Sequence, residues 1–324
     1  MLNLNRRQAL LGTGAALVTA ALPARASGPT IRIVVPFAPG GPGDFTGRLV
    51  ALHLAKVLDQ TVIVDNKPGA NGNLGAQLVA DAPADGNTIL LNTVGMQAIN
   101  PLLYPSLRYS PSKDFVTLGI GSVVPNVMVV HPSKLGVQSL QDLVALAKKE
   151  PGKLTYATFG PGSSPHIYTS LLLKNAGIEA VQVPYKGSAP ASADVMAGNV
   201  DCLFDSMTTS VGLINGGKLK GLAIASAQRS PLLKDVPTMK ECGYPDVALK
   251  FWLSLQISAK TPAPVVDALR KALYACLQNQ EYVDALQARG AEALAIAPDQ
   301  VHSFVLQDAA HWQALGKEIN IQPV

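Results

Sequence analysis

The residues with chemistry to offer are concentrated in two short stretches where glycine and serine lead into a helix. In PFAPGGPGDF, Gly40, Gly41 and Gly43 precede Asp44; in FGPGSSPH, Gly160, Gly162, Ser163 and Ser164 precede Pro165 and His166. Glycines let backbone N–H groups approach a ligand and a helix start adds partial positive charge, so each stretch suits an anion, most simply a carboxylate. Neither is a nucleotide loop: GGPGD lacks the Lys-Ser/Thr of a phosphate-binding loop and the third glycine of a dinucleotide fingerprint. No Lys or Arg lies inside either glycine cluster, so neutral N–H and hydroxyl donors would hold the anion. At roughly 1.5–3 kcal/mol for each hydrogen bond to a charged group, about four or five of them support micromolar binding after the costs of association.

Single residues are more ambiguous. Asp44 stands where an N-cap carboxylate accepts from first-turn amides, and that role is favoured over ligand contact. His166, in a first helical turn, can touch a ligand or bond to backbone. Asp205, ending an apolar run, can face a cleft and take an ammonium or amide donor, or cap a turn. Catalysis finds no constellation: Ser164 and His166 are two apart and do not face each other on a helix, there is no G-x-S-x-G or H-E-x-x-H, and His53, His131, His302 and His311 are scattered singly. Neither a cofactor nor a metal site is expected. Cys202, Cys242 and Cys276 have no metal-site spacing and read as small buried hydrophobes rather than a disulfide.

The elements that must position these loops alternate strand and helix. Ile31 to Val35 is a short β-branched run, and the helix after it repeats Phe45, Leu49 and Leu52 at i, i+4 and i+7. Thr61 to Val64 and Thr88 to Leu91 follow as strands around the helical NGNLGAQLVADA, giving βαβαβ and a right-handed parallel sheet. Asn92 to Gly95, with Thr93, is a third loop, opening a helical stretch broken by Pro101. Val116 to Val124 and Asn126 to Val130, split only by Pro125, read as a first passage between domains. Leu140 to Lys149 is a helix, and then the opening pattern recurs: a strand from Lys153 to Phe159, the second glycine loop, and a helix from Pro165 to Ala176 capped by Ser164. Val181 to Tyr185 leads into a loop at Gly187 that opens another helix, Val200 to Phe204 ends in Asp205-Ser206, and Leu219 to Ser226 is a further strand. Phe251 to Ala259 reads as the second passage, and helices follow to the end, with Val265, Leu269, Ala272 and Cys276 on one stripe and Val301, Val305, Trp312 and Leu315 on another. Loops after parallel strands lie at the carboxyl edge of a sheet, where α/β folds bind ligands.

The N-terminus lies outside this pattern. Arg6 and Arg7 precede an apolar run to Leu22, and Ala24-Arg25-Ala26 has the form of a signal-peptidase site; the paired arginines suit twin-arginine export, with the general secretory route as the alternative. Removing residues 1–26, Arg6, Arg7 and Arg25 among them, takes the 324-residue chain to 298 and its formal charge from +4 to +1, so a nucleic-acid surface is not indicated. With 48% hydrophobic residues, a chain of this length can bury two cores.

Eight blocks, namely PFAPGGPGDFTGR, NKPGANGNLGAQLVADAPADGNTIL, NPLLYPSLRYSPSKDF, ATFGPGSSPHI, VPYKGSAPA, GNVDCLFDS, RSPLLKDVPTMKECGYP and FWLSLQISAKTPAPVVDALRKAL, resemble in order those of the extracytoplasmic binding proteins of tripartite tricarboxylate transporters, the Bug family. The resemblance implies a two-lobed periplasmic α/β flytrap, with lobes spanning 27–125 plus 250–324 and 126–249 and joined by two crossing strands. It also implies an organic acid held between the two glycine loops. Carried over by position, first-lobe contacts fall within Phe37 to Asp44, Phe37 and Ala38 included; second-lobe contacts fall within Thr158 to Ser164 with His166, and an acceptor or water anchor at Asp205. Leu253-Ser254 departs from the small glycine that usually follows the tryptophan. The implied role is a soluble, monomeric, non-enzymatic carrier handing a carboxylate, a dicarboxylate rather than a tricarboxylate given so few cations, to two membrane transport subunits. Dicarboxylates, acidic amino acids and aromatic acids all belong to that class. A ligand-sensing receptor for a membrane kinase is the nearest alternative, and a secreted hydrolase the alternative of a different class.

Overall fold

The computed structural model describes residues 28–323, so the export segment and cleavage point expected from the sequence lie outside the described residues. The chain begins with β1 (Ile31–Val35), four of whose five side chains are buried, as a strand covered on both faces requires. It feeds α1 (Pro42–Leu58), and β2 (Val62–Asn66) returns parallel to β1. After α2 (Asn73–Ala80), β3 (Thr88–Thr93) pairs in parallel with the other side of β1.

The packing face of α1 differs from its hydrophobic repeat. Leu52 is 56% exposed, and the helix instead turns Thr46, Gly47, Val50 and Leu54 inward. Gly47 sits so close to β1 that a Cβ there would stand 2.7 Å from the Val35 side chain. Small residues permit that approach, and a count of apolar residues overlooks them.

A π-helical turn, Gly95–Ile99, runs directly into α3 (Asn100–Leu103). Pro101 therefore does not break this stretch. It stands in the first turn of a new helix, where a missing N–H costs no intrahelical bond.

β4 (Phe115–Val123) ends at Val124-Pro125, and β5 (Asn126–Val130) opens the second sheet. There follow α4 (Leu140–Lys149), β6 (Thr155–Thr158), α5 (Ser164–Ala176), β7 (Val181–Pro184), α6 (Ser188–Ala197), β8 (Cys202–Ser206), α7 (Met207–Asn215) and β9 (Lys220–Ala225). The chain then returns through β10 (Trp252–Ser258), α8 (Ala263–Leu277), α9 (Gln280–Gln287), β11 (Glu292–Leu294) and α10 (Val301–Glu318). The three-residue β11 interrupts what the sequence presents as continuous helix, and α7, rich in Thr, Ser and Gly, has too little propensity to announce itself.

One sheet has the order β11-β4-β10-β3-β1-β2 and the other β7-β6-β8-β5-β9, so the fold is a mixed α/β, two-lobed one. At the passage between them the two connections lie side by side, the Val124 amide donating to the Phe251 carbonyl at 2.8 Å. Each sheet has its own core, and a further cluster spans both, joining Ile99, Leu103, Trp252 and Trp312 to Ile167, Tyr168 and Phe204. Cys202, Cys242 and Cys276 are buried and unpaired.

Candidate functional site

The parallel pairing of β1 with β2 and β3 sets their three following loops on one sheet edge, and that of β6 with β7 and β8 does the same in the second sheet. Pro125 joins these two edges: β4 ends at the first, and β5 starts at the second with Asn126 opposite Ser206. Six strand-to-helix loops thus border one cleft, the arrangement in which α/β sheets bind ligands.

The first loop is built on Asp44. The helix starts earlier than its sequence suggests, with Gly41 as N-cap and Asp44 as the third helical residue, so Asp44 is not the cap. Its carboxylate reaches back to accept from the Gly40 amide at 3.1 Å, from Arg48 Nε at 3.0 Å and from Asn66 Nδ2 at 3.1 Å. Burial pushes its pKa up, but the bonds from Arg48, Gly40 and Asn66 outweigh this and hold it below the usual carboxylate range. Both oxygens are therefore engaged within the protein. Asn66 also donates to the Phe37 carbonyl at 3.0 Å, which fixes the half-buried Phe37-Ala38 segment. Gly40 has φ +88, a conformation that only glycine adopts without strain. Beside this loop Thr93 is buried, its hydroxyl accepting from the Met96 amide at 3.2 Å to start the π-helical turn.

The second loop closes on itself. Buried Thr158 accepts from the Gly160 amide at 3.3 Å and from Gln182 at 2.8 Å, and Gly160 and Gly162 take φ +101 and +77. Ser163, not Ser164, is the N-cap of α5. Its hydroxyl donates to the Gly160 carbonyl at 2.6 Å and accepts from the Phe159 amide at 3.2 Å, drawing the loop together without capping the helix. Ser164 is the first helical residue and accepts from Asn126 Nδ2 at 3.2 Å, a bond that ties this loop to the passage between the sheets. Pro165 misleads by one residue because its fixed φ suits more than one first-turn position. His166 Nδ1 accepts from the Gly162 amide at 3.2 Å, and burial lowers the pKa of the ring. A neutral imidazole accepting at Nδ1 carries its proton on Nε2, which makes His166 a hydrogen-bond donor at neutral pH.

Gly187 is the N-cap of α6, with φ +145. No side chain caps α1, α5 or α6, so their first-turn amides are left for another acceptor.

Asp205 does not face the cleft. It lies inside β8 with 0% exposure, and its oxygens accept from Ser188 at 2.7 Å, Ser192 at 3.0 Å, Thr209 at 2.7 Å and Ser210 at 2.7 Å. These hydroxyls come from the starts of α6 and α7, so the carboxylate fastens two helix N-termini to the strand between them.

The two edges meet. The Gly162 carbonyl lies against Gly95, only 2.5 Å from where a Cβ would stand, and Gly162 itself abuts Asn71 and Leu103. Sequence reasoning missed Asn71, the buried Asn100 behind it, and an amide cluster in which Asn92 Nδ2 donates to Gln97 at 2.7 Å and Gln256 at 2.8 Å while Asn92 Oδ1 accepts from the Thr93 amide at 2.9 Å. A single carboxamide residue in a fully buried stretch of strand, as in TILLNT and WLSLQIS, was the available signal.

Among known proteins, the model of the tripartite tricarboxylate transporter family receptor matches residues 46–321. Protein BugT of Bordetella pertussis is 33% identical over 323 residues, covering 98% of each chain. Two solved structures are each 34% identical: R. palustris Rpa4515 with adipate, at a TM-score of 0.86 over 91% of this chain and 98% of that one, and the periplasmic binding protein BugD, at 0.85 over 91% and 99%.

Proposed function

This chain belongs to the tripartite tricarboxylate transporter receptor family, and from that premise we propose that it is exported to the periplasm, captures a small dicarboxylate between its lobes and delivers it to membrane transport subunits. As a family member it is a solute-binding receptor; among the described residues no helix is long and apolar enough to cross a membrane. The carrying observation is the convergence of uncapped helix starts from both sheets on one cleft, which offers an anion neutral donors from two sides. The adipate in the similar R. palustris protein supports a carboxylate, and BugD supports the compartment. In this reading the ligand contacts come from the amides of Gly41 and Gly187, the hydroxyl hydrogens of Thr93, Thr158 and Ser164, and His166 Nε2–H, while the Gly40, Gly160 and Gly162 amides and the Ser163 hydroxyl donate within the protein and shape the loops; Phe37 and Ala38 form the wall. Asp44 and Asp205 hold the loops. The lobes divide at about residues 125 and 250, and the carrier works as a monomer.

Native mass spectrometry of the protein as purified, followed by a thermal-shift panel of organic acids, tests this. A ligand at one hundred times its dissociation constant adds about 2.7 kcal/mol to stability. If sugars or metal ions alone raise the melting temperature, the carboxylate reading is wrong.

A further inference from the structure

The segment between β2 and α2 holds backbone strain that a plain connection would not need. Ala70 and Asn71 are consecutive non-glycine residues in the left-handed region, with φ +46 and +48. Asn100, 0% exposed, holds them there: the two carboxamides are joined by a bond from Asn71 Nδ2 to Asn100 Oδ1 at 2.7 Å, and Asn100 Nδ2 returns to the Asn71 carbonyl at 3.1 Å and to Asn73 Oδ1 at 2.6 Å. The held turn aims the Asn71 carboxamide at the other lobe. Its nitrogen lies 2.8 Å from where a Cβ of Gly162 would stand. Gly162 is itself fixed from behind by His166.

We infer that Asn71 is the seat on which the second-lobe glycine loop rests when the cleft is shut, a positioning residue that sets how long a solute is retained. This rests on the solute-binding reading above. The contact between Asn71 and Gly162 joins the two lobes, so it exists only while they are together. It adds to the stability of the shut form, and a solute leaves once it is broken. Encounter with the open form does not involve it, so the effect falls on dissociation.

Asn71→Gly separates this role from a merely structural one. Glycine accepts the left-handed turn without strain, which offsets part of the lost bond to buried Asn100, so the protein stays folded with a melting temperature lower by a few degrees while the carboxamide is lost. Stopped-flow measurements with adipate and malate are expected to show dissociation about fivefold faster or more, with association changed less than about twofold. Asn100→Ala should speed dissociation likewise. In the free protein, spin labels on cysteines introduced at the exposed positions Leu52 and Val181, one on each lobe, are expected to report a shift toward longer separations in Asn71→Gly. Wild-type dissociation in Asn71→Gly, or an unchanged label distribution, overturns the seat, as does an effect confined to association. A wild-type protein that binds neither acid counts against the dicarboxylate assignment and not against the seat, which the label distances then decide alone.

Discussion

Replacing Asp205 with Asn separates two roles for this carboxylate. In the structure it accepts four hydroxyl bonds and has no exposed surface. A hydrogen bond to a charged group is worth roughly 1.5–3 kcal/mol and a neutral one about 1, so neutralising the acceptor weakens four bonds by about 1 kcal/mol each. The relieved cost of burying a charge offsets part of this, leaving a net loss of about 2 kcal/mol. At about 2–4 °C per kcal/mol for a chain somewhat shorter than this one, Asp205→Asn is expected to melt several degrees lower. Calorimetric titration with the bound acid should show affinity within about threefold of wild type, since the carboxylate holds α6 and α7 without touching the cleft. A variant with wild-type melting and affinity lost tenfold would refute this and return Asp205 to direct ligand contact.

Gly162→Ala is expected to lose a few degrees of melting temperature, because alanine at φ +77 costs about 1–2 kcal/mol with the lobes apart or together. Its Cβ would also stand 2.6 Å from Leu103 when they are together, so affinity should fall at least about tenfold, or 1.4 kcal/mol; wild-type affinity with unchanged contraction in small-angle scattering would remove this loop from the closure. Burial lowers the His166 pKa, so the unfolded ring binds protons more readily than the folded one. The stability this group contributes is complete above the unfolded value of about 6.5 and is lost as pH falls through and below it. Thermal melts from about pH 7 to pH 5 should therefore fall less steeply in His166→Gln than in wild type, and equal slopes would contradict the assignment. Ser254→Ala removes a buried hydroxyl without a partner and should stabilise by about 1 kcal/mol; a lower melting temperature would mean that the hydroxyl is satisfied in solution.

Elements marked by hydrophobic runs were legible in the sequence. β1 and α4 fall where the pattern places them, and β6 and β8 lie within one or two residues of it. What failed depends on packing. The buried face of α1 is made partly of Gly43 and Gly47, which carry no hydrophobic signal, while Leu52 carries the signal and faces solvent. In the site, the glycine loops could be found because positive φ and close approach leave few alternatives to glycine. The partners of polar side chains could not. Asp44 reads as a cap and Asp205 as either a cleft acceptor or a turn cap until the bonds from Arg48, Asn66 and the four hydroxyls are seen, and Asn71 is one asparagine among many until Asn100 is placed behind it. Such pairings join residues far apart in the chain, and periodicity carries no trace of them.

The cluster that runs from Ile99 and Trp312 to Tyr168 and Phe204 bears on how the molecule comes apart. Each sheet has a core of its own, but this third cluster draws side chains from both, so part of each lobe's apolar interior is completed by the other. Heating should unfold both in one cooperative transition, and a fragment ending at the Val124-Pro125 passage would keep Ile99 and Leu103 but lose the Ile167, Tyr168 and Trp312 side chains that cover them. Two sheets that share this cluster are expected to fold as one unit.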